Sequence, residues 1–336
     1  MTIKIKVMLL LILVNWMTIH SCSMINSSDT LPGKIAFRKL MKHQCFVFTD
    51  SDTATTSFKV RNDKDVQYSG FTWMNLEDSF VGTEIVVGTK RNDYRSNIVQ
   101  FDLSGEIIDR IYEAERGEIA GLAHPSSRDR KLLFITERIG NVNTNPLEGL
   151  MRMNSIVIMD LQERTIIKRI DSIGMSANLQ IAESPWLKDE NRFVYSISTE
   201  NKLISDGDVF NSGDDESEGV YVYDLTKNQK RLIVPAGRFA IASPIRDQIA
   251  YIKDNSIRVM DLSTNEERIV FEFDSKDKVI NIHWTPNGAS IYVAYFHYYF
   301  GSYHLSSSRE KLIEVSSNRE LSFKNIGMGF GYYTWK

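Results

Sequence analysis

Cysteine is nearly absent from this chain: Cys22 and Cys45 are the only two in 336 residues. Two thiols make no disulfide framework for a domain of this length, so the fold must be held by buried apolar surface. Cys45 lies in the strand-like run Cys45-Phe-Val-Phe48 and reads as a small buried hydrophobe. A Cys22–Cys45 bridge is the alternative. Prolines number only 7, and no low-complexity tract interrupts a composition that is 42% apolar and 25% charged, which excludes bulk disorder. No basic cluster stands out and the formal charge is −3, so no nucleic-acid partner is expected. From residue 33 onward amphipathic helical periodicity is missing. So are the signatures of the common catalytic sites: there is no Gly-x-Ser-x-Gly elbow and no His-Glu-x-x-His. Gly327-Met-Gly-Phe-Gly331 alternates glycine, but no helix follows to cradle a phosphate, and a kinked strand is the expected reading. No cofactor is expected.

The first 22 residues differ from the rest. Lys4 and Lys6 are their only charges, and Val7 to Val14 is an unbroken apolar run. A basic start, a short apolar segment and a small residue before a cleavage point make a secretory signal. The run is too short to cross a ~30 Å hydrocarbon layer as a helix rising 1.5 Å per residue. Ile19-His20-Ser21-Cys22 resembles a bacterial lipoprotein processing site. That resemblance implies cleavage before Cys22, a lipid on its sulfur and a membrane anchor; an ordinary secretory signal cut nearby is the alternative. Residues 23–32 are polar and turn-rich, as a tether would be. Residues 1–22 are thus read as a signal peptide, 23–32 as a tether and 33–336 as the folded domain.

What that domain has in abundance is a recurring phrase. It reads Ile98-Val-Gln-Phe-Asp-Leu103, Ile156-Val-Ile-Met-Asp-Leu161, Val220-Tyr-Val-Tyr-Asp-Leu225 and Ile257-Arg-Val-Met-Asp-Leu262. Around each copy the pattern is strand, turn, strand, with four short strands per unit. The unit with the shortest spacing runs Phe239–Ala242, Ile249–Ile252, Ile257–Leu262 and Arg268–Phe273. A four-stranded antiparallel sheet that is apolar on both faces cannot stand alone; radial stacking buries both faces, which is a β-propeller. The first unit shows three strands only, while Gly331-Tyr-Tyr-Thr-Trp335 matches Gly70-Phe-Thr-Trp73, the inner strand of the next unit. The last strand is therefore expected to complete the first unit, giving an all-β, six-bladed ring with no open sheet edge at the join.

A proline follows the first strand of several units, in His124-Pro125, Ser184-Pro185-Trp186, Ser243-Pro244 and Trp284-Thr-Pro-Asn-Gly288. With the Asp-Leu phrase, this resembles the Trp-Ser-Pro-Asp-Gly turn of TolB-type six-bladed propellers, over roughly residues 33–336. The resemblance implies an envelope protein that binds partners, or a propeller of the kind that elsewhere gates a hydrolase.

Three long insertions, Glu137–Asn154, Thr199–Glu218 and Phe296–Glu310, all fall between the second and third strands of their units, with the smaller Gly88–Ser96 loop beside them. In four-stranded meanders those connections share one face of the ring, and that face is read as the working one; neutral loop growth is the alternative. Within Phe296–Glu310, the side chains Phe296, His297, Tyr298, Tyr299, Phe300, Tyr303 and His304 offer rigid aromatic contact area for a protein or glycan. A longer second strand, its rings packed between blades, is the competing reading. Asp206, Asp208, Asp214 and Asp215 could offer oxygen ligands to Ca²⁺, although their spacing is not that of an EF-hand and a solvated acidic loop explains them as well. His124 and His283 sit at strand–turn junctions and are assigned structural roles, and Glu183 and Asp189 have no partner that sequence can name.

These features point to a non-enzymatic binding or scaffold protein of the cell envelope, whose partner is a protein or glycan. The alternative is a lyase or hydrolase acting on a saccharide or peptide at the central channel, with or without a metal. Mass spectrometry of the mature chain is expected to find Cys22 as the first residue, carrying acyl mass. An unmodified N-terminus elsewhere would remove the anchor from this reading.

Overall fold

The computed structural model describes residues 34–38, 44–49, 54–59, 66–86, 95–140, 151–173, 178–198, 217–298, 306–321 and 332–335. Cys22, the signal and the tether lie outside the described residues, as do Gly327–Gly331. Every regular element among the described residues is a strand.

The first three strands are β1 (Lys34–Arg38), β2 (Gln44–Thr49) and β3 (Ala54–Lys59). Next come β4 (Val66–Trp73), β5 (Ser79–Val86), β6 (Arg95–Asp102) and β7 (Ile107–Tyr112), then β8 (Glu118–Pro125), β9 (Lys131–Gly140), β10 (Met151–Asp160) and β11 (Thr165–Ile173). They are followed by β12 (Asn178–Gln180), β13 (Arg192–Ser198), β14 (Gly219–Asp224) and β15 (Gln229–Pro235), and by β16 (Arg238–Ala242), β17 (Gln248–Lys253), β18 (Ser256–Asp261) and β19 (Glu267–Glu272). The chain ends with β20 (Asp277–Trp284), β21 (Ser290–Tyr298), β22 (Ser306–Glu314), β23 (Arg319–Leu321) and β24 (Tyr332–Trp335).

Three sheets are simple four-stranded meanders, β12 to β15, β16 to β19 and β20 to β23. A fourth runs β24-β1-β2-β3, with β24 antiparallel to β1 and Ile35 opposite Trp335. Units two and three, expected as separate sheets, are joined: a single parallel pairing of Ser96 with Ile119 links β6 to β8 and makes one eight-stranded sheet. The Ser96 hydroxyl cements that joint, donating to the Ala120 carbonyl at 2.7 Å and accepting from the Ala120 amide at 2.7 Å.

The core is divided into seams between successive four-strand units. Strand side chains alternate between two faces, and here both faces are dry. Along β17, Ile249 and Tyr251 enter the seam shared with β12–β15, whereas Ala250 and Ile252 enter the seam shared with β20–β23. Along β9, Leu132 and Phe134 face one neighbour and Leu133 the other. This is why the second strands read as unbroken apolar runs rather than alternating ones.

The Asp of the recurring phrase has a local job. Asp102, Asp160, Asp224 and Asp261 each end a third strand, and each Oδ1 accepts two amides of the turn that follows, such as Thr226 N at 2.9 Å and Lys227 N at 3.0 Å for Asp224. The Ser263 hydroxyl, then the turn amides, hold the Asp261 carboxyl down at about 2. The following Leu docks that turn onto the first turn of its own unit: Leu225 N donates to Asn191 O at 2.8 Å and Leu262 N to Asp247 O at 2.9 Å.

The proline turns do the equivalent at the end of the first strand. Thr285 Oγ1 donates to Asn287 Oδ1 at 2.7 Å and accepts from Ser290 N at 3.0 Å. Gly288 has φ +62°, and a Cβ there would stand 2.5 Å from Ile245 of the neighbouring sheet. Side chains on this end also latch unit to unit. Asp129 accepts the Asn75 and Leu76 amides at 2.8 and 2.6 Å, Glu190 accepts Ser127 and Arg128, and Arg192 donates to Asp247 at 2.9 Å.

Phe193 is fully buried, its ring stacked 5.4 Å from Tyr223 and edge-on to Trp186 at 5.8 Å. Phe193→Ala is expected to lower unfolding stability by about 3–5 kcal/mol in chemical denaturation. Ile166→Ser, on an outer strand where the side chain is 44% exposed, should change it by less than about 0.5 kcal/mol. Equal effects would contradict a core divided into seams.

Candidate functional site

Two regions at the ends of the strands carry chemistry. The first is the set of connections between second and third strands. Here the insertions are smaller than their sequence suggests, because strand pairing consumes both flanks. β9 pairs with β10 out to Gly140 opposite Met151, and β21 with β22 out to Tyr298 opposite Ser306. By contrast β17 and β18 turn within Asp254 and Asn255. Phe296, His297 and Tyr298 are therefore strand residues, as the competing reading anticipated. Tyr299, Phe300, Tyr303 and His304 lie outside the described residues, and so do Asp206, Asp208, Asp214 and Asp215.

His297 is committed within the fold. Its Nδ1 is 2.7 Å from Asp277 Oδ1, with side-chain exposures of 15% and 7%. Asp277 is the first residue of β20, and its Oδ2 accepts the Asp274 amide at 3.0 Å. The pair ties the base of the β21–β22 hairpin to the chain entering that sheet. At the corresponding end of two other units, buried carboxylates serve as fasteners. Glu84 holds Arg110 at 2.5 and 2.8 Å and accepts from Asn97 at 2.8 Å; Glu118 accepts the Tyr112 hydroxyl at 2.8 Å. Among the described residues no group of three or more His, Cys, Asp or Glu could hold a metal ion.

The second region lies at the opposite ends of the inner strands. His124 is the penultimate residue of β8, Glu183 follows β12, and His283 is the penultimate residue of β20. Three separate units bring these residues together. His283 Nε2 is 3.9 Å from Glu183 Oε2. The His124 ring faces the Glu183 main-chain carbonyl, and His283 feels the charge of His124. His124 and His283 are each 3% exposed, and the Glu183 Oε2 is buried without a hydrogen-bond partner. Burial pushes the Glu183 carboxyl well above its usual range; burial, opposed by the Glu183 carbonyl, draws His124 down to about 4. His283 falls to about 3 through burial and then the nearby His124. Burial disfavours the charged form of each group and so moves Glu183 up and both histidines down, although the Glu183 side chain keeps 19% exposure. Groups whose surroundings push their proton affinities apart can transfer protons.

Sequence reasoning named all three residues but could not unite them. One signal was available: each stands one to three residues before the proline that ends an inner strand, at Pro125, Pro185 and Pro286. Aligning the units on that proline sets the three at nearly one level. Close by, Leu122 adopts φ +52° and is 47% exposed, at a register shift in β8 between Gly121 and His124. A left-handed backbone at a bulky residue is costly and is held by its surroundings.

No protein-family model matches the chain, and no curated protein matches it in sequence. Solved structures do match. TolB from Acinetobacter baumannii aligns with a TM-score of 0.57 at 16% identity, over 90% of this chain and 66% of that one. Oligogalacturonate lyase from Vibrio parahaemolyticus aligns at 0.51 and 11% identity, over 83% and 70%. A puromycin-hydrolyzing peptidase from Mycobacterium tuberculosis aligns at 0.53 and 10%, over 88% of this chain but 44% of that one. The chain thus spans about two thirds of the first two proteins and less than half of the third. At such identities the shared property is architecture: this chain has the TolB-like propeller fold.

Proposed function

We propose that this chain is a non-enzymatic binding scaffold of the cell envelope. In this reading residues 1–22 are a signal peptide, Cys22 carries the lipid that anchors the chain to the membrane, and residues 23–32 are the tether. Residues 33–336 form a six-bladed ring closed where β24 joins β1. The ring presents its loop-bearing face to a protein or glycan. The observation that carries the reading is the pair of long hairpins, β9–β10 and β21–β22, which outreach the tight β17–β18 turn on the same side of the meanders. The Asp277–His297 bond supports it by stiffening the base of the hairpin that bears the aromatic cluster. Phe296, Tyr298, Tyr299, Phe300, Tyr303 and His304 are the proposed contacts, with His297 positioning them. The fold shared with TolB is consistent with an envelope role.

Replacing residues 299–305 by Asn-Gly should leave the thermal midpoint in place and reduce recovery of the partner from envelope extract by about tenfold or more, the scale of one lost aromatic anchor. Unchanged recovery would exclude the hairpin as the contact.

A second reading is favoured by one observation, the acid beside two neutral bases at the inner-strand ends. It makes the chain a lyase or hydrolase acting on a saccharide or peptide at the channel. Under it, Glu183→Gln removes the proton donor and abolishes turnover in a screen of polysaccharides and peptides, while partner recovery is unaffected. A wild-type protein inert across that screen would count against it.

A further inference from the structure

The chain enters its first sheet at a defined level. In other sheets the inner strand ends opposite the start of the second strand, across a short turn. Trp73 stands opposite Phe80, Pro125 opposite Leu132, Ala242 opposite Ile249 and Trp284 opposite Ile291. In the first sheet β24 is the inner strand, lying beside β4, and Trp335 stands opposite Ile35. Lys34 therefore begins β1 where the other sheets have that short turn. Because the strands alternate in direction, the connections between second and third strands leave from the other end. There β9–β10 pairs out to Gly140 opposite Met151, and β21–β22 out to Tyr298 opposite Ser306.

Length then matters. The nine residues of β21 place Tyr298 roughly 26 Å from Ser290, at about 3.3 Å per residue. Residues 23–33, which join Cys22 to Lys34, span about 40 Å when fully extended and about 20 Å on average as a flexible chain. Resting on the reading above in which Cys22 carries a lipid, we propose that the propeller stands with its short-turn end towards the anchoring bilayer and its loop face away from it. The protein or glycan that the loop face binds is then one presented from outside that bilayer.

The reverse orientation is disfavoured by reach. The tether would have to run up the side of the strands, using roughly 26 of its about 40 Å before it cleared the residues between Tyr298 and Ser306. Upright, tether and strand together hold Tyr298 about 45 Å from the bilayer. Headgroup sugars of the same leaflet lie below that level. A soluble protein or glycan, or one fixed to a facing surface, meets it. The inner-strand ends that carry His124 and His283 are turned towards the bilayer.

Energy transfer tests the orientation. Full-length protein expressed and purified from envelopes is incorporated into phosphatidylcholine vesicles that carry an acceptor-labelled lipid. A donor dye is attached through an azide-bearing residue at Glu163 or at Ser275, both exposed. Glu163 lies in the β10–β11 turn at the short-turn end, and Ser275 in the β19–β20 connection at the loop-bearing end. Transfer from Glu163 should exceed transfer from Ser275 several-fold. Equal transfer, or stronger transfer from Ser275, in protein that floats with the vesicles would overturn the orientation and leave the anchor standing. Protein that lacks acyl mass and does not float would overturn the lipid reading, and this inference with it. Lys227 and Lys276, exposed at the same two ends, form a second pair with the same expected order if a labelled variant of the first does not fold.

Discussion

The structure depends on strands that are dry on both sides. A sheet with one wet face is complete once the other is covered; a sheet apolar on both faces must find two neighbours. Phe193, Tyr195 and Ile197 commit β13 to one neighbour while Val194 commits it to the other. Slippage by one residue would exchange the two sets and present large aromatic rings to a seam to which β13 contributes Val194. Register, stacking and radial architecture are thus one constraint seen at three scales. Helices have no part in it among the described residues.

Turns convert that stack into an object with two different ends. At one end, the Asp of each phrase captures the amides of its own turn, the next Leu pins that turn to the neighbouring one, and side chains such as Asp129, Glu190 and Arg192 cross to the next unit. This end is short-looped and internally bonded. The other end has no such rule. Its connections range from the two residues Asp254 and Asn255 to hairpins that outgrow the sheets they belong to. Variation is tolerated there because second and third strands are paired before the chain leaves the sheet, so added length costs only loop closure.

The architecture was legible in the sequence because its signals are local. Four apolar residues followed by Asp-Leu specify a strand and the turn that ends it, and Thr285-Pro-Asn-Gly288 specifies the hydroxyl, the ring and the left-handed residue of its turn in order. Where strand ends were misjudged, the reason was also local. Glu137 and Arg138 are not obvious strand formers, yet pairing with β10 carries the ladder through them. The bridge between Ser96 and Ile119, fastened by one hydroxyl, had no sequence signature, since it joins positions whose nearness depends on how two whole sheets pack.

The chemistry divides along the same line. Sequence by itself determined the unit, its turns, the all-β class, the likeness to TolB-type propellers and the side from which the long connections leave. All of these follow from residues within a few positions of one another. Only the tertiary structure decided that His297 is spent on Asp277, and that His124, Glu183 and His283 form one group. Their proton affinities are set by removal from water and by neighbours more than fifty residues away, and burial and distance are properties of the packed chain, not of any segment of it.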